Sequence, residues 1–358
     1  MNRMKKWLGI VFCVLCLCFM VGCSFNQEKD PTKIEKEIVE IQNDVTEIYK
    51  KISTGCVGIY ATSGSKGSVG SGVVYKEENG LYYVVTNHHV IEGMTSIRVY
   101  RGGSRYIKAK LVGSDAKNDI AVITFSLDLF GGNDVYVNDI FNYDDEIITV
   151  GQTVLAIGCP LGLENYNTLT TGVVSRISKT QIQTNAEINP GNSGGGLFNA
   201  SGRLIGINTQ KEVYTQSEEN GVIVDIPVEG LGFAIHIDTV KKCIQDIERY
   251  KGEIERPLLG ITVLPVNRYI PSSDAIAYLD SMPNTLDQAL VVVDAGNDVA
   301  ARAGIKVGDF ILKADNSVIE ATEDLSSIMN LKLKEDTITL EVYRPSEKKI
   351  VTIAIVLK

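Results

Sequence analysis

Metal ligands and disulfide-forming residues are scarce in this sequence. Its 358 residues include three histidines and seven cysteines, and that cysteine content is too low for a disulfide scaffold of this length. No His-Glu-x-x-His motif and no paired Cys-x-x-Cys motifs occur. The glycines of residues 67–72 lack the dinucleotide spacing and a following Walker lysine, and we interpret them as a hairpin region. The sequence therefore predicts no metal ion and no cofactor, and any histidine chemistry depends on His88, His89 or His236.

Basic residues are also fewer than acidic residues. Lysine and arginine number 35 against 44 aspartates and glutamates, a formal net charge of -9, which is unfavourable for binding nucleic-acid phosphates. The first 22 residues carry three basic side chains and no acidic one, so the remainder is more acidic still. With 44% hydrophobic and 22% charged residues, the composition is globular, and the length suits two or three domains. We therefore expect folded domains and no nucleic-acid partner.

The N-terminal segment, residues 1–23, has the features of an export signal. Three basic side chains precede an apolar run of 16 residues, 7–22, which is shorter than the ~20 residues of a membrane-spanning helix. The small residues before Cys23 resemble the lipobox of bacterial lipoproteins, which implies that Cys23 is lipidated and becomes the first mature residue. The alternative is an uncleaved membrane anchor. Both interpretations place the rest of the chain outside the cytoplasm, at the membrane.

Residues 24–53 are predicted to form a tether and a short helix. Residues 24–33 are largely polar and include Pro31, and six aliphatic residues then recur from Ile34 to Ile52 at spacings of 4, 3, 4, 3 and 4. This is a heptad seam on one helix face, although it is shorter than the roughly three to four heptads of a confident coiled coil. The helix either assembles with copies from other chains or packs on the domain that follows it.

From residue 54 to residue 250 the sequence favours an all-β domain. Short runs rich in β-branched and aromatic residues are separated by Gly, Asn and Asp clusters, without alternating long helices. Strands are predicted at Val57–Tyr60, Ser71–Tyr75, Tyr82–Thr86, Ile97–Tyr100, Ile120–Phe125, Val154–Ile157, Gly172–Ile177 and Leu204–Ile207. A helix is predicted at Thr239–Tyr250. A charged linker, Lys251–Pro257, then leads into a second strand-rich domain, residues 257–358.

One serine lies in a glycine-rich segment suited to nucleophilic catalysis. Ser193 belongs to Asn189-Pro190-Gly191-Asn192-Ser193-Gly194-Gly195-Gly196. The glycines allow a substrate to approach closely and allow backbone N–H groups to converge on an oxyanion. A serine is a poor nucleophile unless a base takes its proton, so the segment has meaning only together with a base.

Candidates for the base and for its orienting acid occur earlier in the chain. His88 and His89 follow a predicted strand, and because adjacent residues point to different sides, at most one of them faces a cleft. Asp119 begins an apolar strand and could fix the tautomer of an imidazole. On composition alone, Asp115 and the acidic residues 144–146 compete with Asp119. The order His, Asp, Ser is that of chymotrypsin-type hydrolases.

Several of these segments resemble those of the high-temperature-requirement A (HtrA/Deg) family of trypsin-like serine proteases. The matching segments are Thr86-Asn87-His88-His89-Val90, Asn118-Asp119-Ile120-Ala121-Val122, Asn189-Pro190-Gly191-Asn192-Ser193-Gly194-Gly195 and Gly232-Phe233-Ala234-Ile235. The resemblance covers roughly residues 54–358. It implies a mainly β fold, with a chymotrypsin-like double β-barrel for residues 54–250 and a PDZ domain, a β-sandwich with two helices, for residues 257–358.

The resemblance also assigns catalytic roles. It implies that Ser193 is the nucleophile, that His89 is the general base and acid, and that Asp119 orients His89. The N–H groups of Gly191 and Ser193 would form the oxyanion hole, and His88 would be a bystander. No cofactor is implied, because acyl-enzyme chemistry needs none.

Substrate contacts follow from the same resemblance. Ile188 would form the floor of the primary specificity pocket and favour a small aliphatic residue. Glu187 stands where the family usually has alanine; turned inward, it would instead favour a basic residue, at the cost of burying a lone carboxylate. The strand expected to carry the substrate consists of Gly232, Phe233, Ala234 and Ile235.

Residues 257–358 resemble a PDZ domain that binds peptide C-termini. Leu258, Leu259, Gly260 and Ile261 resemble its carboxylate-binding loop, and the strand that follows could accept a peptide. The predicted helix Thr322–Met329 would wall the groove with Leu325 and Ile328. The alternative for Leu258, Leu325 and Ile328 is a place in the core.

The resemblance implies a membrane-anchored serine endopeptidase of the bacterial envelope that degrades unfolded or damaged proteins. Partners would be such substrates, peptide C-termini at the PDZ domain, and further copies in a homotrimer or higher homo-oligomer. Two alternatives remain: a chaperone or adaptor that holds unfolded clients, and a dedicated processing protease of a signalling protein.

Overall fold

The structure is a computed structural model that describes residues 45–103, 105–127, 135–142, 147–209, 214–219, 222–227, 230–266 and 289–358, with only the backbone described for 214–219 and 222–227. The chain divides into two compact units, residues 1–48 and 49–358. The expected signal segment, its Cys23 and most of the heptad segment lie outside the described residues. The end of that segment, residues 45–52, forms helix α1.

No helix within the described ranges is both long enough and apolar enough to cross a membrane.

Six antiparallel strands close into a first barrel in the order β1-β2-β3-β6-β5-β4. They are β1 (Cys56–Ser63), β2 (Lys66–Glu78), β3 (Leu81–Thr86), β4 (Ser96–Tyr100), β5 (Tyr106–Asp115) and β6 (Ile120–Ser126). The period-two pattern expected of a strand with one buried face is visible in β4, where Ile97 and Val99 are buried and Arg98 is exposed. A one-turn helix, α2 (His88–Ile91), follows β3.

A second closed barrel has the order β10-β11-β14-β9-β8-β7. Its strands are β7 (Thr153–Gly158), β8 (Thr168–Ile177), β9 (Gln181–Thr184), β10 (Gly196–Asn199), β11 (Leu204–Thr209) and β14 (Gly232–His236). The two barrels confirm the predicted chymotrypsin-like fold, and every predicted strand lies within an observed one. The predicted hairpin region at residues 67–72 is confirmed: these residues belong to β2, which forms an antiparallel hairpin with β1 through the turn between Ser63 and Lys66.

Two further elements accompany the barrels. A two-stranded hairpin, β12 (Tyr214–Glu219) and β13 (Val222–Pro227), lies between β11 and β14 in sequence. Helix α3 (Ile237–Tyr250) confirms the predicted helix and begins two residues earlier. The earlier start follows from His236, whose imidazole accepts a hydrogen bond from the Asp238 N–H at 3.2 Å and so caps the helix.

Within residues 257–266 and 289–358, the described part of the C-terminal domain, the chain forms a sheet and two helices. The strands β15 (Thr262–Pro265), β16 (Leu290–Asp294), β17 (Phe310–Ala314), β19 (Thr337–Arg344) and β20 (Lys349–Val356) lie in that order, and β18 (Ser317–Val318) pairs with β17. Helices α4 (Val299–Ala303) and α5 (Thr322–Met329) accompany the sheet, and α5 has the predicted bounds. Its core includes Leu290, Ile311 and Leu340. This architecture agrees with the expected second domain.

A buried arginine joins the C-terminal domain to the first barrel and α3. The Arg256 guanidinium lies 2.7 Å from an Asp115 carboxylate oxygen and 2.9 Å from one of Asp246. It also donates to the backbone carbonyls of Leu331 and Lys332, just after α5, at 3.2 and 3.3 Å. The linker, both barrel-side carboxylates and the C-terminal domain are therefore held at one point.

Candidate active site

His89 and Asp119 form the pair expected of a base and its orienting acid. The His89 Nδ1 lies 3.0 and 2.9 Å from the two carboxylate oxygens of Asp119, and the His89 backbone N–H donates to the same carboxylate at 3.0 Å. The Thr209 hydroxyl donates to Asp119 Oδ2 at 3.0 Å. Asp119 has a φ of +55°, a left-handed conformation that Asp tolerates better than most residues. The carboxylate is thus fixed by three donors.

The structure distinguishes Asp119 and His89 from the other candidate acids and bases that the sequence left open. Asp115 binds Arg256 and accepts from the Asn118 side chain at 2.8 Å, so it is committed elsewhere. His88 Nε2 lies 3.9 Å from Glu92 Oε1, so its ring is beside a different carboxylate from that of Asp119. The competing acids at 144–146 lie outside the described residues.

Ser193 lies where the second barrel meets β2 of the first. The Ser71 N–H donates to the Ser193 carbonyl at 2.8 Å. A Cβ atom on Gly70 would lie 2.6 Å from Val90 Cγ2 and 3.1 Å from the Ser193 carbonyl oxygen, so the serine loop and the turn carrying His89 converge there. Gly194, with a φ of +85°, gives the loop its sharp bend. The serine loop and the turn that carries His89 therefore lie against the same part of β2.

The peptide before Gly191 is oriented by the neighbouring loop. The Leu161 N–H donates to the Pro190 carbonyl at 2.6 Å. Because C=O and N–H point in opposite directions across a trans peptide, the Gly191 N–H is directed away from Leu161. Gly191 has a φ of +96°, and a Cβ there would lie 2.1 Å from the Cys159 carbonyl oxygen, so this position requires glycine. The Leu161 bond and the close approach of Cys159 together restrict the orientation of this peptide.

The residues predicted to form the specificity pocket differ in their exposure to solvent. Ile188 is half-buried, and a Cβ on Gly232 would lie 2.7 Å from its Cγ1, so these two residues are adjacent. Glu187 is exposed and does not turn inward. Phe233 is half-buried, whereas Ala234 and Ile235 are buried.

One expectation about substrate binding is wrong. We expected an extended substrate to add a strand beside Gly232–Ile235. The structure places β14 between β9 and β11, and Phe233, Ala234 and Ile235 pair with both neighbours. A strand that is hydrogen-bonded on both edges cannot accept a third. The sequence could not reveal this, since it depends on which distant strands flank β14.

The predicted peptide site of the C-terminal domain is only partly exposed. Leu258 is 67% exposed, whereas Leu259 and Leu325 belong to the domain core. Ile261 and Ile328 are partly buried against that core. Gly260 has a φ of +69°, which a loop of converging N–H groups requires. The core alternative therefore applies to Leu325, and Leu258 remains available to a ligand.

The three cysteines of the described chain are not candidate nucleophiles. Cys56, Cys159 and Cys243 are free and buried, which confirms the interpretation that they are buried thiols. Burial raises the pKa of all three, so the reactive thiolate is disfavoured.

Sequence reasoning missed two residues of the site, Thr209 and Ser71. A hydroxyl residue at the end of a strand carries no signal of its own, so Thr209 could not be identified. Ser71 had a signal, because it lies between closely spaced glycines in residues 67–72, but that pattern was attributed to a hairpin.

Comparison with known proteins agrees with this architecture. Residues 70–207 match the family described as Trypsin-like peptidase domain, and residues 257–355 match the family described as PDZ domain. A serine protease Do-like HtrA of Lactococcus lactis subsp. cremoris is 35% identical, over 87% of this chain and 83% of its own length. A probable periplasmic serine endoprotease DegP-like of Halomonas elongata is 34% identical, over 83% of this chain and 58% of its own.

A solved structure supports the same relationship in three dimensions. The HtrA-type protease AlgW with tripeptide superposes with a TM-score of 0.67 and 27% identity, over 87% of this chain and 97% of that one. The similarity therefore extends over both barrels and the C-terminal domain together.

Proposed function

Since this chain belongs to the HtrA family of serine proteases, we propose that it cleaves peptide bonds with Ser193 as nucleophile, His89 as general base and acid, and Asp119 as the residue that orients His89. The observation that carries this assignment is the contact of both Asp119 carboxylate oxygens with His89 Nδ1. With Nδ1–H donated to the carboxylate, Nε2 is left as the acceptor for the Ser193 proton.

The chemical steps follow from that arrangement. The Ser193 Oγ attacks the scissile carbonyl while His89 takes its proton, and the resulting oxyanion accepts hydrogen bonds from the Gly191 and Ser193 N–H groups. The protonated His89 then gives its proton to the leaving amine, and water hydrolyses the acyl-enzyme by the reverse roles. Loss of one oxyanion donor typically lowers turnover by about 10²–10³-fold.

The primary specificity pocket accepts a small aliphatic side chain. Its proposed lining is Ile188, Gly232 and Phe233, and the exposure of Glu187 supports an apolar floor rather than an acidic one. Ala234 and Ile235 support the wall from within the barrel and do not contact the substrate.

The clients are unfolded or damaged proteins. Attack by Ser193 requires an extended main chain in the cleft between two closed barrels, and an unfolded segment reaches that conformation far more easily than a folded one. Two other functions stay as alternatives: a chaperone or adaptor that holds such clients, and a processing protease dedicated to one signalling protein.

The enzyme acts outside the cytoplasm, at the bacterial cell membrane. The basic and apolar segment 1–23 supports export, and Cys23 is the proposed lipidation site, with an uncleaved N-terminal anchor as the alternative. The periplasmic description of the Halomonas elongata relative supports the location.

The PDZ domain captures peptide C-termini. The support is the position of β15 at the edge of its sheet, next to α5, with Gly260 and the exposed Leu258 just before it. An edge strand has free backbone groups for a peptide to pair with. A homotrimer or higher homo-oligomer is proposed from the family and from the heptad seam Ile34–Ile52.

The proposed domain limits are 1–23 for the signal segment, 24–53 for the tether and helix, 54–250 for the protease and 257–358 for the PDZ domain. The two family matches fall inside the last two ranges.

Cleavage of a permanently unfolded protein by wild type and by Ser193→Ala tests this function. We expect wild type to cleave after small aliphatic residues and Ser193→Ala to be inactive. Equal cleavage by both would falsify the assignment of the nucleophile. Suppression of client aggregation by both proteins, without cleavage by either, would favour the chaperone alternative, and one dominant cleavage site in a single client would favour the processing alternative.

A further inference from the structure

The glycine-rich segment 67–72 lies against the serine loop, and one of its residues has a function that the catalytic assignment leaves unexplained. We propose that Ser71 is a positioning residue, whose hydroxyl holds Gly191 so that the Gly191 N–H stays aimed at the oxyanion. This inference rests on the proposed function of Ser193.

Ser71 is bonded to the second barrel through three contacts. Its N–H donates to the Ser193 carbonyl at 2.8 Å. Its Oγ donates to the Gly191 carbonyl at 2.7 Å and accepts from the Cys159 N–H at 2.9 Å. The hydroxyl has a single proton, so with the Cys159 N–H occupying a lone pair that proton is directed at Gly191. Ser71 is 1% exposed, so water does not compete for these bonds.

Glycines surround Ser71 and allow its close contact with the second barrel. A Cβ on Gly194 would lie 2.1 Å from the Ser71 carbonyl oxygen. A Cβ on Gly158 would lie 2.9 Å from the Ser71 Oγ, and one on Gly195 would lie 3.2 Å from the Ser71 Cβ. Three positions, one at the end of β7 and two in the loop before β10, thus lack side chains where Ser71 enters, which leaves space for no residue much larger than serine.

The Ser71 hydroxyl restrains Gly191, which as a glycine has the greatest rotational freedom in the segment 189–193. Gly191 lies between two peptide groups, and each of them is held at its carbonyl. The Leu161 N–H holds the Pro190 carbonyl, and the Ser71 hydroxyl holds the Gly191 carbonyl. Fixing both peptides fixes φ and ψ of a glycine that could otherwise rotate widely. If the Ser71 hydroxyl is lost, the Gly191–Asn192 peptide keeps only the bond from the Asn192 N–H to the Asn189 carbonyl at 2.9 Å, so ψ of Gly191 and the position of its N–H are less firmly fixed.

A purely structural role makes a different prediction from a positioning role. If Ser71 only satisfies two buried backbone groups, its loss lowers stability and the number of active molecules, but each folded molecule turns over normally. If it positions the oxyanion donor, each folded molecule turns over more slowly, because the donor acts in the transition state.

The test is kcat per active site in full-length protein, with active sites counted by exhaustive titration with a peptidyl phosphonate. For Ser71→Ala we expect kcat per titrated site to fall roughly ten- to a hundredfold, with KM changed by less than about threefold and phosphonate reaction slowed in parallel. Val99→Ala, which removes buried volume from β4 of the same barrel, is the matched control and should keep wild-type kcat per site.

Two outcomes separate this inference from the proposed function. If wild type titrates at Ser193 and Ser71→Ala retains kcat per site within about twofold, the positioning role is wrong while the nucleophile assignment stands. If wild type does not titrate at Ser193, the proposed function itself fails. Should Ser71→Ala not fold, Ser71→Cys keeps a side chain with a weaker donor, and unchanged kcat per site in that variant would equally overturn the inference.

Discussion

Replacing Arg256 with alanine tests how the protease and PDZ domains are joined. The Arg256 side chain is 1% exposed, and its guanidinium contacts two buried carboxylates, Asp115 at 2.7 Å and Asp246 at 2.9 Å. Burial by itself lowers the pKa of Arg256, but the hydrogen bond and the charge of Asp115 outweigh burial, and the pKa is raised. The group therefore stays charged, and its removal leaves Asp115 buried without its counter-ion and Asp246 with only Lys242, at 2.5 Å, as a cationic partner.

The expected destabilisation is large for a single substitution. Removing one partner of a buried ion pair typically costs about 3–5 kcal/mol, which for a chain of this size lowers the melting temperature by roughly 10 °C. The bonds to the Leu331 and Lys332 carbonyls are lost as well, so contact between the domains weakens. Urea unfolding in a Ser193→Ala background, which prevents self-cleavage, measures the first effect. Limited proteolysis of the linker, residues 251–257, measures the second.

A second arginine serves as the control. Arg302 lies 3.4 Å from Asp298, but its side chain is 65% exposed, so Arg302→Ala should cost no more than about 1 kcal/mol. Arg256→Lys keeps the charge but loses the planar fork that reaches both carboxylates, and should fall between the two alanine variants. If Arg256→Ala were no less stable than Arg302→Ala, the buried cluster would not hold the domains as described.

Three further predictions concern the catalytic site and its support. Asp119→Asn keeps a residue that tolerates the left-handed backbone, so we expect normal folding with kcat lowered by about 10⁴-fold; near-normal kcat would contradict the role of Asp119. Gly191→Ala places a Cβ 2.1 Å from the Cys159 carbonyl oxygen, and kcat should fall by at least about 10²-fold, whereas wild-type kcat would contradict the described loop. Burial lowers the pKa of His236. The charge of Asp238 acts in the opposite direction without cancelling this shift, and the charge of Lys241 adds to it. The folded state therefore favours the neutral imidazole, and the stability it contributes is present above about pH 6.5 and lost as the pH falls below that value. His236→Asn keeps a helix cap without a titrating group, so its urea midpoint should fall less between pH 7 and pH 5 than that of wild type. Equal falls in the urea midpoints of the two proteins would refute this explanation.

Much of the fold could be predicted from local pattern. The eight predicted strands and the helices at 239–250 and 322–329 were recognisable, because alternation, helical periodicity and turn residues act over a few positions. The start of α3 was missed by two residues because the cap is the imidazole of His236, a residue type that rarely serves as a cap.

The candidate catalytic residues could be proposed because chemistry dictates their residue types, whereas the expectation for the substrate strand failed because it depends on pairing between distant strands. His89, Asp119 and Ser193 stand in segments whose residue types have few other uses together. The error at β14 had a different cause, because nothing in Gly232–Ile235 reveals that β9 and β11 occupy both of its edges. Leu325 is similar: an apolar residue on a helix face suits a groove and a core equally well, and only the packed domain decides between them.

The most direct test of the catalytic account is to react the wild-type protein with a peptidyl phosphonate and locate the adduct by mass spectrometry of its peptides. We predict one phosphonylated residue per chain, Ser193, with the reaction abolished in His89→Ala although that variant remains folded. An adduct on another residue, or undiminished labelling of Ser193 without His89, would contradict the assignment of these residues as nucleophile and base.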